Sequence, residues 1–399
     1  MADTIQIFPP EHTPFTTVIG TPGDDLLIGT NREDSIVAGR GTDSLFGEGG
    51  NDQLMGGQGS DLLNGGSGFD NYDGGPGVDT LSFAGDPAGV RVDLQPQFSQ
   101  AVDGFGNFES VQRVENVEGS SFGDTLLGND DDNLLMGGAG LDVLDGGAGD
   151  DVLDGGADGA VASFARSEGP ISANIAGGLA IEADGSQDRL IDISGLSGSP
   201  FADVLIGDNG LNTLSGGDGD DRLQGRGGAD VLVGGAGADL LDGGVGRDLA
   251  DYSGSGAVRV SLGAGDAVDG SGAIDRLVSM EDVRGSLRAD FLIGSDAANR
   301  IEGGGGADTV VGRGGPDVFA FGATIDFGDR ILDFQPGIDR VEIVRSALPG
   351  GSSLAPGPAG AQFSFDPASH LLSYQADGTS VAIVTLPGAV PGSGDIVLV

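Results

Sequence analysis

From Gly20 onward, single large apolar residues recur at every ninth position, first as Leu27, Ile36, Leu45, Leu54 and Leu63, with six glycine-rich or polar residues closing each interval. A period of nine matches neither the 3.6-residue repeat of an amphipathic helix nor the sustained alternation of a long strand. It predicts strands of about three residues with one side chain facing in, joined by tight turns. Two such units close one coil of 18 residues, and coils stack at the parallel-strand spacing of about 4.8 Å. The expected fold class is therefore all-β, a stacked parallel solenoid whose core is one residue wide.

The units follow GGxGxDxUx, with U the large apolar residue, and 22 of them fall in four blocks at 20–82, 119–163, 198–251 and 285–320. Position six is Asp in 18 units: Asp25, Asp34, Asp43, Asp52, Asp61, Asp70, Asp79, Asp124, Asp142, Asp151, Asp203, Asp221, Asp230, Asp239, Asp248, Asp290, Asp308 and Asp317. Asn133, Asn212 and Asn299 take the place in three units and Ala160 in one, and the turns at 30–33 and 130–132 are poor in glycine. Paired glycines permit positive φ and close backbone approach, so the first six residues can fold into a tight turn with inward carbonyls.

Stacking coils in register sets Asp above Asp. Two unit charges about 5 Å apart repel by roughly 0.8 kcal/mol even in water, and more where water is partly excluded. The chain has 62 Asp and Glu against 18 basic residues, a net charge of −44, which adds a general opposition to compaction. A hard divalent cation reverses both terms. Carboxylates and carbonyls at flexible glycine turns form an all-oxygen cage, which suits Ca²⁺ better than octahedral Mg²⁺ or nitrogen- and sulfur-seeking Zn²⁺. The 18 aspartates above are the candidate calcium ligands.

The same composition removes other chemistry. All 18 basic residues are arginine and there is no Cys, so lysine phosphate loops, Schiff bases, thiolate metal sites and disulfides are excluded. Nucleic acid is excluded as a partner by charge. No stretch of about 18 apolar residues occurs, and residues 1–20 lack the basic and apolar regions of a Sec signal, so neither a transmembrane segment nor Sec export is expected. HExxH is absent, and His12 and His370 are the only histidines; His12 is placed in an N-terminal arm and His370 in a solvated turn. One GxSxG string, Gly119-Ser120-Ser121-Phe122-Gly123, heads a nonapeptide and lacks the strand-to-helix context of a nucleophile, so it reads as a turn. No catalytic residue and no organic cofactor site is expected.

These nonapeptides resemble the hemolysin-type, or RTX, repeats of secreted proteins. The resemblance implies a calcium-loaded parallel β-roll, with each Ca²⁺ held between the turns of units n and n+2 by the position-six Asp and turn carbonyls. Segments 83–118, 164–197 and 252–284 match one another, each opening after an aromatic residue (Phe83, Phe164, Tyr252) and carrying an alternating strand at 90, 171 or 258. They are expected to be β inserts that dock on the roll or extend it. Residues 321–399 form a small β C-terminal unit, with a Pro/Gly/Ser linker at 349–360, that resembles the C-terminal module of serralysin-type proteins. Asp395 to Val399 resembles the end of an uncleaved type I secretion signal. The implied protein is secreted, extracellular or surface-associated. It meets the type I export machinery and a surface, matrix or host partner, and it acts as a structural or adhesive calcium-binding protein without enzymatic activity. The alternative is an extracellular hydrolase or polysaccharide-modifying enzyme with RTX modules.

Overall fold

The computed structural model describes residues 3–6, 16–96, 99–323, 326–348, 357–358, 363–376, 379–392 and 394–399. His12 with most of the N-terminal arm, and nearly all of the 349–360 linker, lie outside the described residues. The chain falls into two compact units, Met1–Ser199 and Pro200–Val399, and each is built as a parallel β-roll.

The nine-residue pattern forms this roll directly. Each apolar triplet becomes a strand, and strands two units apart pair in parallel without offset. In the first unit Leu27, Leu45, Leu63 and Leu81 are successive register partners on one sheet, while Ile36, Leu54 and Tyr72 are partners on the opposite one. In the second unit Leu205, Leu223 and Leu241 face Leu214, Leu232 and Ala250 in the same way. These inward residues are almost wholly buried. Each leucine so buried stabilises the roll by about 1.5–3 kcal/mol.

The turns are as tightly determined as the core. Gly68, at φ +147°, sits against the turn one coil earlier, and a methyl group built on it would overlap the carbonyl oxygen of Gly50. Backbone stacks directly on backbone there, and glycine alone leaves room for it.

The inserts extend the stack instead of docking on its surface. In 83–118, strands Arg91–Asp93, Gln100–Val102 and Phe108–Gln112 form an antiparallel meander. Its third strand pairs in parallel with Asn71–Asp73 of the preceding block, and its first with Thr125–Leu127 of the next. In 252–284 the meander Arg259–Ser261, Asp266–Val268 and Ile274–Val278 is spliced identically between Leu240–Asp242 and Phe291–Ile293. In 164–197 the strand Gln187–Ile191 pairs with Val152–Asp154, followed outward by Leu179–Ile181 and Ser172–Asn174. After each meander one more strand continues the opposite sheet: Asn116–Glu118, Ile193–Ser197 or Asp282–Arg284. Phe83, Phe164 and Tyr252 are buried where the chain leaves the nonapeptides.

The roll also runs beyond Ala320. Asp329–Ile331 and Arg340–Ile343 pair in parallel with Thr309–Val311 and Val318–Phe321. Thr379–Thr385 and Ile396–Leu398 add to the same two sheets, so the acidic-then-apolar terminus is a sheet strand. Among the described residues no helix is long and apolar enough to cross a membrane.

Candidate metal centre

The turns place the position-six side chains in two ladders, one along each edge of the roll. From the third unit of each block onward, the Oδ1 of the position-six Asp accepts the backbone N–H of its counterpart 18 residues earlier: Asp43 from Asp25 at 2.8 Å, Asp61 from Asp43 at 2.9 Å, Asp221 from Asp203 at 2.8 Å and Asp248 from Asp230 at 2.8 Å. One carboxylate oxygen thus stitches adjacent coils, and what faces the other oxygen decides the chemistry.

That second oxygen divides 17 of the 18 aspartates into two sets. In the opening units of blocks one, two and four the N–H at position two donates to the same turn's position-six side chain. Thr21 reaches Asp25, Thr30 reaches Asp34, Ser120 reaches Asp124 and Ser286 reaches Asp290, all at 2.6 Å. The asparagine units close likewise, Asn129 to Asn133, Asp208 to Asn212 and Ser295 to Asn299. From the third unit of each block onward, position two has positive φ. It is usually glycine, as at Gly66 (φ +82°), but Glu48, Arg226 and Arg313 hold the same conformation at +75°, +76° and +71°. This rotation removes the N–H donor. In these units the Oδ2 atoms of Asp43, Asp52, Asp61, Asp70, Asp79, Asp142, Asp151, Asp221, Asp230, Asp239, Asp248, Asp308 and Asp317 are buried without any hydrogen-bond partner. The 18 predicted ligands are therefore not equivalent: 13 present a buried acceptor with no donor, the block-opening Asp25, Asp34, Asp124 and Asp290 are already capped, and Asp203, which opens block three, is buried with its N–H donated to Asp221 Oδ1.

Other acceptors face the open oxygens. A methyl group built on Gly56 would lie 2.5 Å from Asp61 Oδ2 and 2.7 Å from the carbonyl oxygen of Gly74, one coil on. The same pairing joins Asp230 Oδ2 to the Gly243 carbonyl across Gly225. A buried carboxylate oxygen without a donor costs several kcal/mol unless a cation meets it. Among the described residues no three His, Cys, Asp or Glu side chains converge as a metal cluster. A cation here would then depend on backbone carbonyls beside one or two carboxylates, an all-oxygen donor set that fits Ca²⁺ and lacks the nitrogen and sulfur ligands Zn²⁺ prefers.

The electrostatics agree. Burial pushes the Asp52 and Asp151 carboxyls up to about 8 and those of Asp221 and Asp317 up to about 7, with neighbouring carboxylates adding to the rise against the opposing backbone hydrogen bond. Asp61, Asp142, Asp230 and Asp239 rise to about 6 for the same reasons. Arginine pairs form elsewhere, Arg166 with Asp145 at 2.8 Å, Arg247 with Asp282 at 2.9 Å and Arg284 with Asp251 at 3.0 Å. They neutralise outer carboxylates and leave the ladder to another cation.

Several ladder members are missing from the nonapeptide pattern. Beyond the last repeats the N–H of Asp70 donates to Glu109, Asp151 to Asp188, Asp239 to Asp275, Asp308 to Asp329 and Asp317 to Asp339. All five preserve the acid two residues before a buried apolar residue, as in Glu109-Ser110-Val111 and Asp275-Arg276-Leu277, and that spacing was the available signal. The asparagines have a reason too: the amide nitrogens of Asn133 and Asn299 donate to the carbonyls of Glu115 and Glu281, where an aspartate would set oxygen against oxygen.

Ser120 of the GxSxG string is buried, its hydroxyl 2.9 Å from Asp124 Oδ1, as part of a closed turn. His370 occupies the turn between Phe363–Asp366 and Leu371–Ala376 at φ +57°. It is only half-exposed, and its Nδ1 is buried without a partner, so it is less solvated than a loop histidine was expected to be.

The RTX calcium-binding nonapeptide repeat model, four copies long, matches residues 19–54, 47–81, 116–159, 197–232, 215–250 and 284–319. The extracellular lipase LipA from Serratia marcescens is a solved structure similar to this chain, at 18% identity and a TM-score of 0.20, covering 50% of this chain. The chain spans 40% of that lipase. No curated protein matches the chain. With donor-free aspartates in register through the matched segments, the chain belongs to the proteins built on RTX calcium-binding nonapeptide repeats, and it is a calcium-binding β-roll.

Proposed function

We propose that the protein works outside the cell as a calcium-dependent structural or adhesive element that carries no enzymatic activity. In this reading it remains unfolded in the low-calcium interior, leaves through a one-step type I-like channel, and folds where calcium is abundant. Thirteen buried Asp Oδ2 atoms without donors carry the proposal. Their cost keeps the roll open until a divalent cation is supplied. The open Oδ2 atoms and the turn carbonyls beside them would hold the cation, which would supply the positive charge that neutralises the carboxylates; the chain itself supplies the stacked strands and the stitching Oδ1 bonds.

Circular dichroism tests this. The calcium-free chain at neutral pH is expected to be largely unfolded, and millimolar Ca²⁺ should fold it cooperatively. A full β spectrum without calcium, unchanged on adding it, would overturn the proposal. The export step has its own test: deletion of residues 363–399 should abolish secretion, and unchanged levels of truncated protein in the medium would remove that step. A hydrolase screen on the calcium-loaded protein is expected to be blank.

A further inference from the structure

The three inserts offer an internal comparison, because each follows a block in the same way. Where a block ends, no nonapeptide supplies the next turn. A bend in the insert takes its place, centred on Arg113, Asp192 or Ser279, and these non-glycine residues share a left-handed backbone at φ +50°, +49° and +51°. Three unrelated side chains held in one disfavoured conformation point to a requirement on the backbone.

The requirement is visible at the last unit of each block. The carbonyl oxygen of Arg113 lies over Gly74 beside Asp79 Oδ2. A methyl group built on Gly243 would sit 2.5 Å from the Ser279 carbonyl oxygen and 2.6 Å from Asp248 Oδ2. Both Oδ2 atoms belong to fully buried aspartates and have no hydrogen-bond partner. Two residues after both of these bends a glutamate follows: Glu115 Oε2 accepts the Asp79 N–H at 2.9 Å, and Glu281 Oε2 accepts the Asp248 N–H at 3.0 Å.

The second insert has the bend without the charges. Its Asp192 carbonyl lies over Gly155 as the others do, but position six of the last unit is Ala160, and Ser194 stands where Glu115 and Glu281 stand. Ala160 still has a backbone N–H. If the glutamates served only as acceptors for that N–H, losing the aspartate would not entail losing the glutamate. The two carboxylates are present together at two junctions and absent together at the third. Carboxylates brought together against an inward carbonyl repel one another unless a cation joins them.

We infer that Asp79 with Glu115 and Arg113 O, and Asp248 with Glu281 and Ser279 O, form calcium sites that close blocks one and three, with the insert contributing ligands in place of a missing repeat. The inference rests on the calcium reading above. Block two ends without such a site, and its insert is joined to it by strand pairing, by the Asp151 N–H to Asp188 bond and by the Arg166–Asp145 ion pair.

Counting bound ions by native mass spectrometry of the full chain, titrated with Ca²⁺ alone, tests this. Glu115→Gln and Glu281→Gln keep an oxygen to accept the N–H and remove only the charge; each is expected to bind one ion fewer than the parent, and the double variant two fewer. Ala160→Asp combined with Ser194→Glu should bind one ion more. An unchanged count in the glutamine variants would overturn the inference. Should those variants fail to fold in calcium, the Ala160→Asp/Ser194→Glu variant decides, an added ion supporting the closing site and an unchanged count refuting it. A parent that binds no calcium would instead refute the underlying calcium reading, so the two failures are distinguishable.

Discussion

At the scale of single residues, the same aspartate side chain is structural at one oxygen and a candidate ligand at the other. Removing Asp230 deletes the Oδ1 bond to the Asn212 N–H and one donor-free Oδ2, and because each turn contacts only its neighbours the damage should fall on the adjoining sites of that block. Asp366, exposed on the C-terminal hairpin and bonded to Ser369, is the charge-matched control. Asp230→Ala should raise the calcium midpoint clearly and Asp366→Ala should barely move it, in a titration spanning affinities on the order of 10⁻⁴ to 10⁻³ M. Equal midpoints would mean that bulk screening drives folding. A steric contrast is available too. Gly68→Ala forces a methyl group into the Gly50 carbonyl at positive φ, whereas Gly85 has open space around it. Thermal melts in calcium should show Gly68→Ala destabilised by at least about 1–3 kcal/mol and Gly85→Ala almost unaffected.

At the scale of the turn and its strand, the nonapeptide was legible because period, glycine and apolar residue all report one geometry. The β-roll, its register and the two ladders follow from Leu27, Leu45 and Leu63 recurring 18 residues apart. What escaped was the state of each turn. Position two carries the information, hydroxyl or amide residues such as Thr21, Ser120 and Asn129 where its N–H caps the ladder, and mostly glycine where it does not; the consensus treats both as variants of one unit. Glu109, Asp188, Asp275, Asp329 and Asp339 escaped because they enter from meanders or the C-terminal strands without the glycine turn that marked the others. Open turns also set a pH response in the calcium-free chain. A carboxyl raised by burial from 3.8 to about 8 in Asp52, or about 7 in Asp221, binds protons more tightly folded than unfolded, so stability falls as pH rises through that window and is recovered on acidification. Without calcium, ellipticity at pH 5.5 should therefore show more β structure than at pH 8, and the calcium midpoint should rise as pH falls because protons compete for the same oxygens. A calcium-free spectrum independent of pH across this range would contradict buried, donor-free carboxylates.

At the scale of the molecule, a net charge of −44 and one-residue-wide cores leave each roll short of stability on burial alone. A divalent ion at each of the thirteen open aspartates would offset more than half of that charge. How far folding spreads from one bound ion depends on whether the inserts interrupt the ladders. The second breaks one of them, because Ala160 has no carboxylate, but the first and third do not: Glu109 and Glu115 carry both ladders of the first block into the insert, and Val90 N–H returns to Asp124 Oδ1 of the next block at 2.7 Å. In the second unit Asp275 and Glu281 do the same, and Val258 N–H reaches Asp290 Oδ1 at 2.7 Å. Strand pairing through these two meanders is likewise unbroken. A nearest-neighbour stack with no weak interface transmits order along its whole length. Hydrogen exchange across a calcium titration should then show residues 90–112 gaining protection at the same calcium concentration as blocks one and two, and residues 258–278 together with blocks three and four. Blocks that become protected at separate calcium concentrations, with the meanders lagging behind them, would show that the inserts act as spacers between independent calcium modules.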